Sequence, residues 1–67
     1  MANTQYLETR IKQSGLKKAY LAEKCGCTRQ YLGMKIRNEA DFKVEDVKVL
    51  RAELKLTNAE ILKIFFN

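Results

Sequence analysis

The 67-residue sequence contains no histidine, no proline and no tryptophan, and only two cysteines and three glycines. Without histidine the chain lacks the commonest general base and metal ligand of proteins, and it cannot form a Ser-His-Asp or Cys-His catalytic site. A chain of this length closes one small core and cannot surround a deep catalytic cleft. We therefore expect a single domain, residues 1–67, with no enzymatic activity, no bound metal and no other cofactor.

Long hydrophobic runs are missing as well. Apolar runs such as residues 64–66 fall far short of the roughly 20 residues of a membrane-spanning helix. No charged start is followed by an apolar stretch of the kind that forms a signal peptide. We expect a cytoplasmic protein that has neither a membrane nor a small-molecule substrate as its partner.

The two cysteines, Cys25 and Cys27, are separated only by Gly26. This spacing suits neither a relaxed disulfide nor, without histidine or further cysteine, a four-ligand zinc site. We interpret both as reduced, small hydrophobic residues of the core. A redox switch is the alternative interpretation.

Charge is distributed unevenly along the chain, which has a formal net charge of +5. Residues 1–38 carry eight basic and two acidic side chains, whereas residues 39–67 carry five basic and six acidic ones. A basic half next to a nearly neutral half is typical of a nucleic-acid-binding face beside a structural or partner-binding part. A merely solvated surface is the alternative.

Apolar residues recur three and four positions apart, which predicts an all-α protein. The last helix has the clearest start, because Thr57 and Glu60 form a capping-box pattern. Gly15 and Gly26 are placed to end the first two helices in the left-handed conformation. Between the third and fourth helices we expect a loop from which Phe42 packs back onto the core. The predicted segments are about 4–14, about 17–25, 28–36 with Thr28 as its cap, about 44–54, and a last helix that begins at 57–60.

The second and third segments have the spacing of a helix-turn-helix. Ala22 is small enough to lie where two helices cross, and Gly26, four residues later, supplies the positive φ of a sharp turn. Leu32, six residues further on, would anchor the second helix of the pair to the first. The net charge of the surrounding half strengthens this interpretation.

Residues 21–32, with the sequence LAEKCGCTRQYL, resemble the core motif of the Cro and repressor family of temperate bacteriophages and of bacterial xenobiotic-response-type regulators. Arg37 and Asn38 look like the loop after that family's recognition helix, and 44–56 looks like its fourth helix and following turn. Lys35 stands at a place that is often apolar in the family, with Ile36 taking the core role. The resemblance implies a compact five-helix, lambda-repressor-like bundle, operator binding as a dimer, and transcriptional control near the nucleoid in a bacterial cytosol.

With Leu32 and Ile36 assigned to the core, the rest of the third helix forms an outward face that would lie in the major groove. Arg29 can pair with guanine and Gln30 with adenine, each good pair being worth about 1–3 kcal/mol of base discrimination. Met34 could contact a thymine methyl group. The predicted base-contacting residues are Thr28, Arg29, Gln30, Gly33 and Met34.

Gly33 is unexpected inside a short helix, since glycine costs about 1 kcal/mol relative to alanine there. Either its missing side chain lets the helix backbone approach the DNA groove, or it permits a tight crossing with a neighbouring helix. The polar and basic side chains that flank the recognition surface are expected to contact phosphate. These predicted phosphate-contacting residues are Lys17, Lys18, Tyr31, Lys35, Arg37 and Asn38.

The C-terminal segment 61–66 has more apolar surface than one helix face can bury. A homodimer formed through this end would match palindromic half-sites one DNA turn apart. The alternative is that Phe65 and Phe66 only complete the core of a monomer. The predicted dimer residues are Ile61, Ile64, Phe65 and Phe66.

The sequence therefore predicts a Cro-like regulator that binds a double-stranded operator with residues 28–36. A different class, a small helical interaction module of antirepressor or antitoxin type, would use the C-terminal apolar residues to bind another protein. A third class is an architectural or excision-assisting DNA binder. Direct regulation requires that the surface of residues 28–37 be exposed.

Overall fold

The computed structural model describes residues 2–66, which contain five α-helices and no β-strand. The all-α prediction is confirmed, and three of the five predicted segments, the third with its Thr28 cap, have the expected bounds at both ends. The second helix begins one residue later than predicted because Lys17 is its N-cap. The helices are α1 (Thr4–Ser14), α2 (Lys18–Cys25), α3 (Arg29–Ile36), α4 (Val44–Leu54) and α5 (Asn58–Phe65).

Every helix contributes one completely buried aliphatic side chain to a common core. Helix α2 packs against α3 and α4, while α1 packs against α3, α4 and α5. Burial of these apolar faces supplies the main stabilisation of such short helices, which are not stable in isolation. The five central side chains are Leu7, Leu21, Leu32, Leu50 and Ile64.

The helix ends follow the glycine and capping signals of the sequence. Gly15 and Gly26 have φ values of 73° and 74° and end α1 and α2 in the left-handed region, as predicted. At α5, the Thr57 hydroxyl accepts from the Glu60 N–H at 3.1 Å, and the Glu60 carboxylate accepts from the Thr57 N–H at 2.9 Å. The predicted capping box is confirmed. Lys55 ends α4 with φ 55°, a left-handed position that carries no glycine and was not predicted.

A polar network joins α5 to α1. The Tyr6 hydroxyl and the Arg10 Nε donate to Glu60 Oε2 at 2.7 and 2.8 Å, and Arg10 Nη2 donates to the carbonyl of Leu54 at 3.0 Å. Hydrogen bonds from the Thr57 N–H, from Tyr6 and from Arg10 lower the pKa of Glu60 to about 2. Glu60 is therefore ionised at neutral pH and fixes the start of α5 on α1.

The loop between α3 and α4 returns to the core through Phe42, as predicted. Its ring lies edge to face with that of Phe65, with centroids 5.2 Å apart. Cys25 and Cys27 are free and partly buried, and burial is the main cause that raises the pKa of Cys25 to about 11. Within residues 2–66, no helix is long and apolar enough to cross a membrane, and no cluster of three metal-ligating side chains occurs.

Candidate nucleic-acid interface

A three-residue turn joins α2 to α3 and is held by backbone and side-chain hydrogen bonds. The N–H groups of Gly26 and Cys27 donate to the carbonyls of Glu23 and Ala22, each at 3.0 Å. The Thr28 hydroxyl oxygen then accepts from the Tyr31 N–H at 3.0 Å and caps α3. Two short helices in contact are therefore held by their own end caps.

The first turn of α3 is exposed to solvent. Leu32 and Ile36 are buried beneath it and anchor the helix, whereas Thr28, Arg29 and Gln30 are all exposed. Within residues 2–66 the Arg29 guanidinium forms no ion pair. The structure therefore brings three of the five predicted base-contacting side chains together on an accessible helix start.

The other two residues of that set, Gly33 and Met34, are partly buried. A Cβ atom built on Gly33 would lie 3.2 Å from Nη1 of Arg37 and would meet no neighbouring helix within 4 Å. A tight helix crossing at Gly33, one of the two explanations given by the sequence, therefore finds no support. Among the described residues, the only neighbouring group that a Cβ atom at position 33 would meet is the flexible guanidinium end of Arg37.

The prediction that Lys35 contacts a DNA phosphate is wrong. It is only 2% exposed, and its ammonium forms an ion pair with Asp46, which is also 2% exposed. Burial lowers the pKa of Lys35, but the hydrogen bond and charge of Asp46 outweigh it, so the pKa lies above its usual value. Lys35 is thus a buried ammonium that cannot reach a phosphate. Of the two adjacent residues Lys35 and Ile36, the sequence predicted that only Ile36 is buried, but the structure buries both.

The remaining predicted phosphate contacts differ in their surroundings. Lys17 and Tyr31 are exposed, whereas Lys18 Nζ is partly buried and lies 2.9 Å from Glu8. Arg37 is exposed and pairs with Glu39 at 3.0 Å. The Asn38 amide is engaged elsewhere: it accepts from the Ala2 N–H at 3.1 Å and donates to the Ala2 carbonyl at 3.2 Å.

Ion pairs reduce the charge asymmetry that the sequence shows. Three basic side chains of residues 1–38 are paired with acids of residues 39–67, namely Arg10 with Glu60, Lys35 with Asp46, and Arg37 with Glu39. Two of these pairs, Arg10–Glu60 and Lys35–Asp46, join different helices, whereas Arg37 and Glu39 are only two residues apart. The exposed basic side chains of that half without an ion pair, within the described range, are Lys12, Lys17, Lys24 and Arg29.

The C-terminal apolar residues divide into a buried and an exposed set. Ile64 is 0% exposed and belongs to the core, so the prediction that it lies in a dimer interface is wrong. Ile61 and Phe65 are partly buried against the core. Phe66 is 68% exposed and Leu62 is 60% exposed. The sequence interpretation did not include Leu62 in the interface. The i, i+4 spacing of Leu62 and Phe66 was the signal for a shared exposed face.

Sequence reasoning also missed Asp46. An acid three residues after an N-cap is a helix-start signal, and the Asp46 carboxylate indeed accepts from the Lys43 N–H at 2.8 Å. Its second partner, Lys35, comes from another helix, and no local pattern identifies it.

Comparisons of the chain with protein-family models, with curated proteins and with solved structures gave no significant match.

Proposed function

We propose that this protein is a sequence-specific regulator, of the phage Cro kind, that binds double-stranded DNA in the cytosol. In this proposal α2, the turn 26–28 and α3 act as a helix-turn-helix, and α3 lies in the major groove. The main observation behind the proposal is the exposed first turn of α3. The side chains of Arg29 and Gln30 are exposed there, while Leu32 and Ile36 are buried and anchor the helix to the core.

The side-chain chemistry of this turn fits base recognition. Arg29 can donate two hydrogen bonds to the O6 and N7 atoms of guanine, and Gln30 can pair with the N6 and N7 atoms of adenine. Thr28 accepts a backbone N–H with its hydroxyl oxygen and keeps its own hydroxyl proton available as a donor. Gly33 leaves the middle of α3 without a side chain, so the backbone can approach the groove.

Phosphate contacts would come from the exposed cations around this surface. Lys17 lies at the N-cap of α2 and has no ion pair within residues 2–66. Arg37 forms an exposed ion pair with Glu39, and Lys18 forms a partly exposed one with Glu8. Ion pairs at the surface contribute little, and their cations can exchange the carboxylate for a phosphate. Loss of one such contact should lower the slope of log affinity against log salt by about one.

The exposed apolar face of α5 supports dimerisation on a palindromic operator. Leu62 and Phe66 lie one helical turn apart and are both largely exposed. A two-fold contact through this face would present two copies of α3 to half-sites on one side of the duplex. Sedimentation across micromolar concentrations should show a monomer–dimer equilibrium that Leu62→Lys shifts to monomer.

The same face favours a second candidate function, a small helical module that binds another protein. Val44, which begins α4, is a third large exposed apolar residue at 69% exposure. Such a module would need Leu62 and Phe66 and would be indifferent to Arg29. Replacement of Arg29 therefore separates the two functions.

Selection of binding sites from random DNA duplexes tests the proposal. The wild type should enrich two related half-sites separated by about one helical turn. Arg29→Ala should lose discrimination at one base position in each half-site, whereas Arg51→Ala, which removes an exposed arginine from α4, should keep the wild-type preference. Absence of any enriched sequence would contradict the proposal and favour the interaction module.

A further inference from the structure

The ion pair between Lys35 and Asp46 is the one buried charged pair that residues 2–66 contain. Lysine is almost never fully buried unless it is paired, and here the partner is the Asp46 carboxylate. The Asp46 carboxylate receives both the Lys35 ammonium and the Lys43 N–H, and within the described range no buried side-chain nitrogen or oxygen lacks a hydrogen-bond partner.

Stability alone does not explain this pair. Taking two charges out of water is costly, and apolar residues of similar volume at such positions are often as stable or more stable. The other two buried residues of α3, Leu32 and Ile36, are apolar. A directional contact, unlike an apolar one, selects a single orientation of the groups that it joins.

The pair adds a polar contact between α3 and the start of α4, two helices that also share the apolar core. Helix α3 packs on α2 and α1, while Lys35 reaches the first turn of α4. One turn earlier on α3 is Tyr31, whose ring centroid lies 4.9 Å from the Lys35 ammonium and whose side chain is exposed. The buried charge therefore touches a residue at the margin of the exposed face of α3.

We propose that Lys35 and Asp46 are positioning residues: they fix the rotation of α3 about its own axis and hold the Tyr31 ring at the edge of its exposed face. Neither side chain contacts DNA. The consequence for base recognition rests on the proposed function, but the consequence for the orientation of α3 does not.

The test uses the double variant Lys35→Met/Asp46→Leu, which removes the pair without leaving an unpaired buried charge. Lys63→Met is the control for the lost lysine and its ammonium–ring contact, because it removes the contact of Lys63 on α5 with the ring of Tyr6 on α1, at 4.3 Å. It lowers the net charge by one, whereas the double variant leaves the net charge unchanged. Each protein is measured for folding, for hydrogen exchange of the α3 amides, for the NMR signals of the Tyr31 ring, and for binding to selected and random duplexes.

The double variant should fold, while its α3 amides exchange faster relative to those of α1 and its Tyr31 ring signals shift. The ratio of specific to random DNA affinity should fall about tenfold, comparable to the loss of one good base contact. The salt dependence of binding should not change, because Lys35 neutralises no phosphate. The control should keep the wild-type values except for the Tyr6 signals.

Two results would overturn the positioning role. One is a double variant that does not fold, since the pair would then be needed for the fold rather than for orientation. The other is unchanged α3 exchange and Tyr31 signals. A changed α3 with an unchanged specificity ratio would confirm the positioning role and overturn its consequence for base recognition. A wild type that shows no sequence preference would refute the proposed function, and the exchange and ring signals would still decide the positioning role.

Discussion

Helices α4 and α5 begin with the same device but use it differently. Asp46 and Glu60 each lie three residues after an N-cap, accept its N–H, and bind a cation from a distant helix, Lys35 or Arg10. The side chains of the Lys35–Asp46 pair are 3% and 4% exposed, against 21% and 17% for Arg10 and Glu60. Burial therefore makes the Lys35–Asp46 pair sensitive to the loss of either partner. At the Arg10–Glu60 pair, water can hydrate a charge that has lost its partner.

The largest expected effect comes from breaking the buried pair on one side. Lys35→Met leaves the Asp46 carboxylate uncompensated, and such a change costs about 3–5 kcal/mol of unfolding free energy. Urea denaturation should show this loss, and the added Asp46→Leu substitution should recover most of it. Equal losses in the single and double variants would contradict the account of a buried, coupled pair.

Breaking the less buried pair, Arg10–Glu60, should cost less. Arg10→Met removes hydrogen bonds to Glu60 and to the Leu54 carbonyl, but Glu60 keeps those from Tyr6 and Thr57. We expect a loss of about 1.5–3 kcal/mol, the usual contribution of hydrogen bonds to charged groups. If Arg10→Met destabilised the protein more than Lys35→Met in the same urea series, burial would not be what distinguishes the two pairs.

The Glu60 network should also make stability depend on acid pH. Its pKa in the folded protein is about 2, below the usual unfolded value of about 4.3, so its contribution is complete above the unfolded pKa and is lost as the pH falls towards 2. Urea unfolding of the wild type and of Glu60→Gln between pH 7 and pH 2 tests this. The variant should be less stable at pH 7, and the two curves should converge at low pH; parallel curves would contradict the assignment.

The smallest expected effect lies on α3 itself. Gly33→Ala should raise the unfolding free energy by up to about 1 kcal/mol, because alanine favours a helix and its Cβ would meet only the movable end of Arg37. DNA affinity should fall at the same time if the backbone of α3 approaches the groove. A loss of stability, measured by urea denaturation, would show that Gly33 is required by the fold instead.

The sequence predicts well those parts of the fold whose causes are local. Gly15, Gly26 and the Thr57–Glu60 box end or begin helices through contacts within a few residues, and the structure confirms them. The burial of Lys35 depends on Asp46, eleven residues away across a loop, and periodicity alone cannot reveal such a partner. Periodicity correctly predicted that Leu32 is buried, but it placed Lys35, three residues later, at the surface.

The C-terminal helix shows the same limit. Its apolar residues outnumber one face, so the pattern does not determine which of them point inwards. The docking of α5 on α1 decides this: Ile64 becomes central, and its carbonyl accepts from the Asn3 N–H at 2.6 Å, while Leu62 turns outwards. The exposed first turn of α3 was easier to predict, because its cap and its two buried anchors lie within one short segment.

The central claim, that the first turn of α3 contacts DNA, is tested most directly by following the backbone amide signals of the protein by NMR during titration with a duplex at low salt. The account predicts that the largest shifts fall at Arg29 and Gln30, with smaller ones at Lys17. Shifts confined to the surface around Leu62 and Phe66, or no shifts at all, would contradict it.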